Sequence, residues 1–113
     1  MMEPTDDEMK AQLARTREYT VMLLRATPKM TEPGARAIAW EHGRRNFGLR
    51  GAGIMPIVCP ITDGSGWSGV SILTVPVDEA RKIMDDDPGV RAGIFSYELH
   101  PARSFPGDTL PGE

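Results

Sequence analysis

Residues 67–99 read WSGVSILTVPVDEARKIMDDDPGVRAGIFSYEL, and a strand, a helix and a second strand follow one another within them. Residues 67–75 are rich in β-branched side chains and contain no proline, which predicts a strand. Val77 to Asp86 predicts a helix: Asp78 and Glu79 sit at its start, the positive end of the dipole, and Ala80, Ile83 and Met84 share one apolar face. Asp87-Pro88-Gly89 ends that helix, because the residue before a proline is disfavoured in the helical region. Residues 90–99 then predict the last strand.

Upstream, residues 18–26 predict the first strand. Tyr19, Val21 and Leu23 point to one face and Thr20, Met22 and Leu24 to the other, so both faces carry apolar groups and both are expected to be covered. Thr27 to Pro33 breaks the pattern with two prolines. A helix is expected over 34–50, with Ile38, Trp40, Phe47 and Leu49 as its apolar content and Glu41, Arg44, Arg45 and Arg50 between them. Gly43 and Gly48 each disfavour it by about 1 kcal/mol relative to alanine, and Gly51-Ala52-Gly53 stops it. Residues 54–61 form a short apolar run in which Pro56 and Pro60 remove two ladder donors, the mark of an edge or bulged strand. A turn-rich loop, 62–66, leads back to residue 67.

The order is β-α-β-β-α-β, the split βαβ or ferredoxin-like motif: an α+β fold with a four-stranded antiparallel sheet and two helices on one face. Two helices leave the other face bare, and its apolar side chains imply a homodimer packed sheet to sheet about a two-fold axis. Residues 1–16, with a short helix at about 5–14, read as an N-terminal extension. Residues 17–103 are the domain, and 104–113 a Pro/Gly-rich tail.

The 113 residues suit one domain, and a net charge of −3 without a basic stripe argues against nucleic acid as a partner. No apolar stretch approaches the roughly 18 residues that span a bilayer. The acidic N-terminus does not resemble a signal peptide, so a cytoplasmic location is expected. Cys59, alone, suits a reducing compartment and reads as a buried thiol.

His42 is the residue best suited to proton transfer near neutral pH. A catalytic imidazole needs an acceptor on its far nitrogen, and the acidic triplet Asp85-Asp86-Asp87 ends a helix expected to lie on the same sheet face. A lone helical histidine is more often a surface or core-edge residue and an acidic triplet a solvated helix end, so spacing alone leaves both readings open. Arg36 is a candidate partner for an acidic substrate group, or a solvated arginine. Trp67 is a candidate wall of an aromatic pocket, or a core or interface residue. His100 reads as a surface residue. Two histidines and one cysteine without ligand spacing make no metal site, and Gly64-Ser65-Gly66 lacks the lysine and helix of a phosphate loop.

Val77-Asp78-Glu79-Ala80 followed by Asp87-Pro88-Gly89-Val90-Arg91-Ala92-Gly93-Ile94 resembles the signature of YCII-related proteins: an acidic helix, an Asp-Pro step, a valine two residues on and an Ala-Gly pair opening the last strand. His42 stands where that family keeps its helical histidine. Gly53, eleven residues later, stands where the family turns into the second strand. Ser68 matches a serine often found on strand three, and Pro101 a proline that ends the last strand. The resemblance covers about residues 18–103. It implies a dimeric α+β barrel with a pocket holding a histidine–aspartate acid/base pair, here His42 and Asp87. Arg36, Trp67 and Ser68 then stand as candidate substrate contacts. The family includes a dehydrochlorinase acting on a chlorinated hydroxyquinol and resembles muconolactone isomerases in fold. The chain departs from it at Cys59-Pro60, where Gly-Pro is usual.

The reading expected from these features is an enzyme of lyase or isomerase type, working without a cofactor on a small cyclic or aromatic molecule. A non-catalytic ligand-binding or accessory domain and a cofactor-free oxygenase are its alternatives.

Overall fold

The structure, a computed structural model, describes residues 1–112. Four antiparallel strands form one sheet in the order β2-β3-β1-β4, with β1 spanning Arg17–Ala26, β2 Ile57–Pro60, β3 Trp67–Leu73 and β4 Phe95–Ser104. Four α-helices accompany it, α1 Asp6–Leu13, α2 Ala35–Gly51, α3 Val77–Asp85 and the single turn α4 Pro88–Arg91, with a 3-10 turn at Pro28–Thr31.

The period-two alternation of β1 sorts the sheet into two faces. Met22 lies opposite Ser71 of β3 and Leu99 of β4, and Leu24 opposite Gly69 and Tyr97. Ser71 in turn lies opposite Val58 of β2. This face is covered: Met22, Leu24, Leu73 and Phe95 are buried together with Ala35 of α2, Ala80 and Met84 of α3, and Met55 and Ile94 of the loops. Burying a side chain of this size contributes roughly 1.5–3 kcal/mol, so these few positions carry most of the packing. On the opposite face Tyr19, Val21, Leu23, Ile57, Cys59, Val70 and Ile72 remain half-buried, while Ser96, Glu98 and His100 of β4 are exposed.

Three expectations are corrected. The last strand starts at Phe95, not at residue 90. Val90 and Arg91 coil into α4, because Asp87 caps a new helical turn with Pro88 at its first position. That strand also runs through Pro101 to Ser104, paired with β1 down to Arg17; β4 is an edge strand, where a proline is tolerated. Finally, α2 is continuous through Gly43 and Gly48, but its buried positions are Ala35, His42 and Asn46. Trp40 and Phe47, part of its expected apolar content, are 71% and 73% exposed.

The helix α1 carries no buried residue and is held locally by the Thr5 cap, which accepts from the Glu8 N–H at 3.3 Å. Among the described residues no helix is long and apolar enough to cross a membrane.

Candidate functional site

Asp87 is the pivot between α3 and α4. Its backbone ends one helix, and its side chain begins the next: Oδ2 accepts from the Gly89 N–H at 2.9 Å and the Val90 N–H at 3.1 Å. The carboxylate is completely buried. Across from it, His42 projects from the second turn of α2. Its Nδ1 lies 2.8 Å from Oδ2 and 2.9 Å from Oδ1, so one proton is shared by both oxygens. Arg45, one turn further along the same helix face, brings Nη1 to 3.7 Å from Oδ1.

Burial pushes the Asp87 carboxyl up. The hydrogen bond and charge of His42, with the Val90 and Gly89 N–H groups, outweigh that and hold it below the ordinary carboxylate value. Asp87 is therefore an anion at neutral pH. A carboxylate only accepts, so Nδ1 of His42 carries the proton. On a neutral ring Nε2 then holds the lone pair, and the Asn46 side-chain amide lies against it, Nδ2 to Nε2 at 3.2 Å. The ring is steadied from the side by Phe95, with centroids 4.6 Å apart and planes tilted by 44°.

His42 and Asn46 both line a cavity of about 270 Å³ between α2 and the sheet. Met22, Leu24, Val58 and Phe95 make it predominantly apolar, Ser68 and Ser71 add hydroxyls, and the exposed Phe47 stands at its rim. The volume lies just under the usual range for drug-sized ligands and above the ~150 Å³ that admits benzene, which suits a single substituted ring. No lysine or arginine lines it.

The sequence candidates divide. His42 and Asp87 meet directly, and Ser68 lines the cavity. Arg36 is exposed on the first turn of α2 and lines no part of it. Trp67 lies outside it as well. Register slips between Leu24 and Arg25, so that Trp67 pairs with Arg25. Such a bulge re-aims the side chain, and the Arg25 guanidinium stacks 3.9 Å from the Trp67 ring, in a separate groove with Leu23 and Glu98. Asn46 escaped the sequence reading. For Asn46 a signal existed: it stands four residues after His42, on the same helix face. Among the described residues no group of three or more His, Cys, Asp or Glu side chains is gathered to hold a metal ion.

A neutral imidazole backed by a buried carboxylate can take a proton on Nε2 while the carboxylate stabilises the imidazolium, and the low-polarity surroundings strengthen that interaction. Compared with known proteins, the chain matches no family model and no curated protein.

Proposed function

We propose that the chain is a YCII-related protein of ferredoxin-like topology. In this reading it is a cofactor-independent acid/base enzyme, of lyase, isomerase or dehydrochlorinase type, acting on a small cyclic or aromatic metabolite. The observation that carries this is the direct His42–Asp87 contact at the wall of an apolar, ring-sized cavity. Nε2 of His42 takes a proton from the substrate; in an isomerisation it returns that proton to another atom of the ring, and in a dehydrochlorination the C–H electron pair forms the double bond as chloride leaves and the proton passes to solvent, while Asp87 fixes the ring tautomer and balances the imidazolium charge. Ser68 and Ser71 supply hydroxyls to orient the ring.

The test is hydrogen–deuterium exchange, followed by NMR, into a panel of lactones, hydroxyquinols and halogenated quinols. The wild type is expected to catalyse exchange or elimination on at least one compound, and His42→Ala to lower that rate by about 10²–10⁴. Equal rates for the two proteins would remove His42 from the chemistry. One observation favours the non-catalytic alternative, a ligand-binding domain: Nε2 is already engaged by Asn46 at 3.2 Å. Saturable binding without exchange on any compound would select it.

The dimeric barrel belongs to the same proposal. Val21, Leu23, Ile57, Val70 and Ile72 are half-buried on the face without helices, and a two-fold partner would bury them. Light scattering at micromolar concentration should report a dimer. Ile72→Glu, which sets a charge in the middle of that face, should give a monomer; a monomeric wild type would defeat this part of the proposal.

A further inference from the structure

The contact between Asn46 and His42 has an unusual balance. Nδ2 donates to Nε2 at 3.2 Å, at the long end of the normal range. With the ring neutral and its proton on Nδ1, Nε2 is the acceptor, which sets the amide's orientation. The other amide atom, Oδ1, is left buried with no hydrogen-bond partner. A buried carbonyl without a partner is costly, so the gain from the long bond is offset within the same side chain. Asn46 is nine-tenths buried, and it lines the cavity beside His42.

We infer that Asn46 is a displaceable cap on the base. At rest its amide occupies the Nε2 lone pair and holds the ring in the Nδ1–H tautomer. The cap yields to a ligand that brings its own donor, a hydroxyl or N–H on a neutral ring, because that donor replaces a weak bond and frees the amide to turn toward a partner for Oδ1. A ring without a donor fills the same apolar space and leaves the cap in place. Asn46 is thus a positioning residue that competes with the ligand's donor for Nε2 and tempers the preference for donor-bearing rings. The neutral character follows from the cavity wall, which carries no lysine or arginine to hold an anion. The inference rests on the reading of His42 as the ligand-facing base.

The experiment is an NMR titration of the full chain with phenol and with toluene, two rings of nearly equal size. The wild type should bind phenol more tightly, and the Asn46 side-chain amide signals should shift with phenol and stay still with toluene. Asn46→Leu, which removes the cap at similar volume, should raise the phenol-to-toluene affinity ratio about three- to tenfold; Asn46→Ala should move the ratio the same way. A merely structural asparagine would change both affinities together and leave the ratio alone. A ratio that falls in both variants makes the amide a ligand partner and overturns the cap alone. A phenol preference that survives His42→Phe overturns the cap and the reading of His42 together. Motionless Asn46 signals at saturating phenol overturn the cap even if neither Asn46 variant folds.

Discussion

Asp87→Ala should cost the fold about 3–5 kcal/mol, the usual result of removing one member of a buried charged pair. Two losses coincide. The Gly89 and Val90 N–H groups lose the acceptor that caps α4, and Nδ1 of His42 is left facing a void. Asp87→Asn separates the structural part from the chemical part. Asparagine is as good an N-cap as aspartate, so this variant should remain folded with a cost of about 1–2 kcal/mol. Its carboxamide oxygen can satisfy Gly89 and Val90, which turns the NH₂ group toward Nδ1. That nitrogen must then accept, the ring proton moves to Nε2, and the lone pair no longer faces the cavity. On the acid/base reading turnover should fall by about 10³–10⁴, the scale seen when a carboxylate behind a catalytic imidazole becomes an amide. The same variant carries a pH signature. The folded Asp87 carboxyl sits below its ordinary value of 3.8, so the unfolded chain binds the proton more readily. The stabilisation is then complete above the unfolded value and drains away as pH falls through the folded one. Urea denaturation should show wild type ahead of Asp87→Asn at pH 7, with the gap closing in the acid limb. A gap that is constant from pH 7 to pH 2 would mean that the charge of Asp87 contributes nothing.

Three aspartates at a helix C-terminus are poorly placed for α3, but Asp87 belongs to the start of α4. Asp85 instead bonds the Tyr97 hydroxyl, and Asp86 lies 3.5 Å from Arg91. Each carboxylate has its own partner, and only one of them is buried with a base.

The strands and α3 were legible because β1, β3 and the Ala80/Met84 face obey a single period over enough residues to be counted. The pairing of His42 with Asp87 was legible through the family resemblance more than through spacing. Two kinds of feature stayed hidden. The first is a residue whose direction depends on a partner strand. Alternation within β3 sets Trp67 on the face of Gly69 and Ser71, and only the slip between Leu24 and Arg25 turns it away. The second is a helix whose polar residues face inward. In α2 the aromatic residues Trp40 and Phe47 lie outside while His42 and Asn46 are buried beside Ala35, Ile38, Ala39 and Leu49, so the stripe facing the core mixes polar with apolar residues where hydrophobic patterning expects apolar ones alone. A local rule broken at this density is itself a sign of a functional site. It cannot be seen from one sequence, since exposed aromatic residues and buried polar ones read alike until a sheet is laid beneath them.

Gly89→Ala tests how tightly that site is assembled, and helix propensity and packing predict opposite signs for it. Gly89 lies in α4 with an ordinary backbone conformation, so alanine there should stabilise the turn by roughly 0.5–1 kcal/mol on propensity alone. A methyl group at this position, however, would overlap the Phe95 ring edge and stand 3.1 Å from Oδ2 of Asp87. The ring has little room to yield. Phe95 is buried and packs on His42, and Gly89 is tied to the start of β4, since its carbonyl accepts from the Ile94 N–H at 3.0 Å. Overpacking of this kind costs about 1–3 kcal/mol. The net expectation is therefore a destabilisation near 2 kcal/mol, about 10 °C in Tm for a domain of this size. Gly43→Ala is the control: it sits in α2 with open space around the added methyl and should raise Tm by a few degrees. Combining Gly89→Ala with Phe95→Leu should recover part of the loss, a coupling that a double-mutant cycle reads directly. If Gly89→Ala alone raises Tm, the ring is free to move aside, and the close packing of His42, Asp87 and Phe95 that poises the base is not a constraint on this protein.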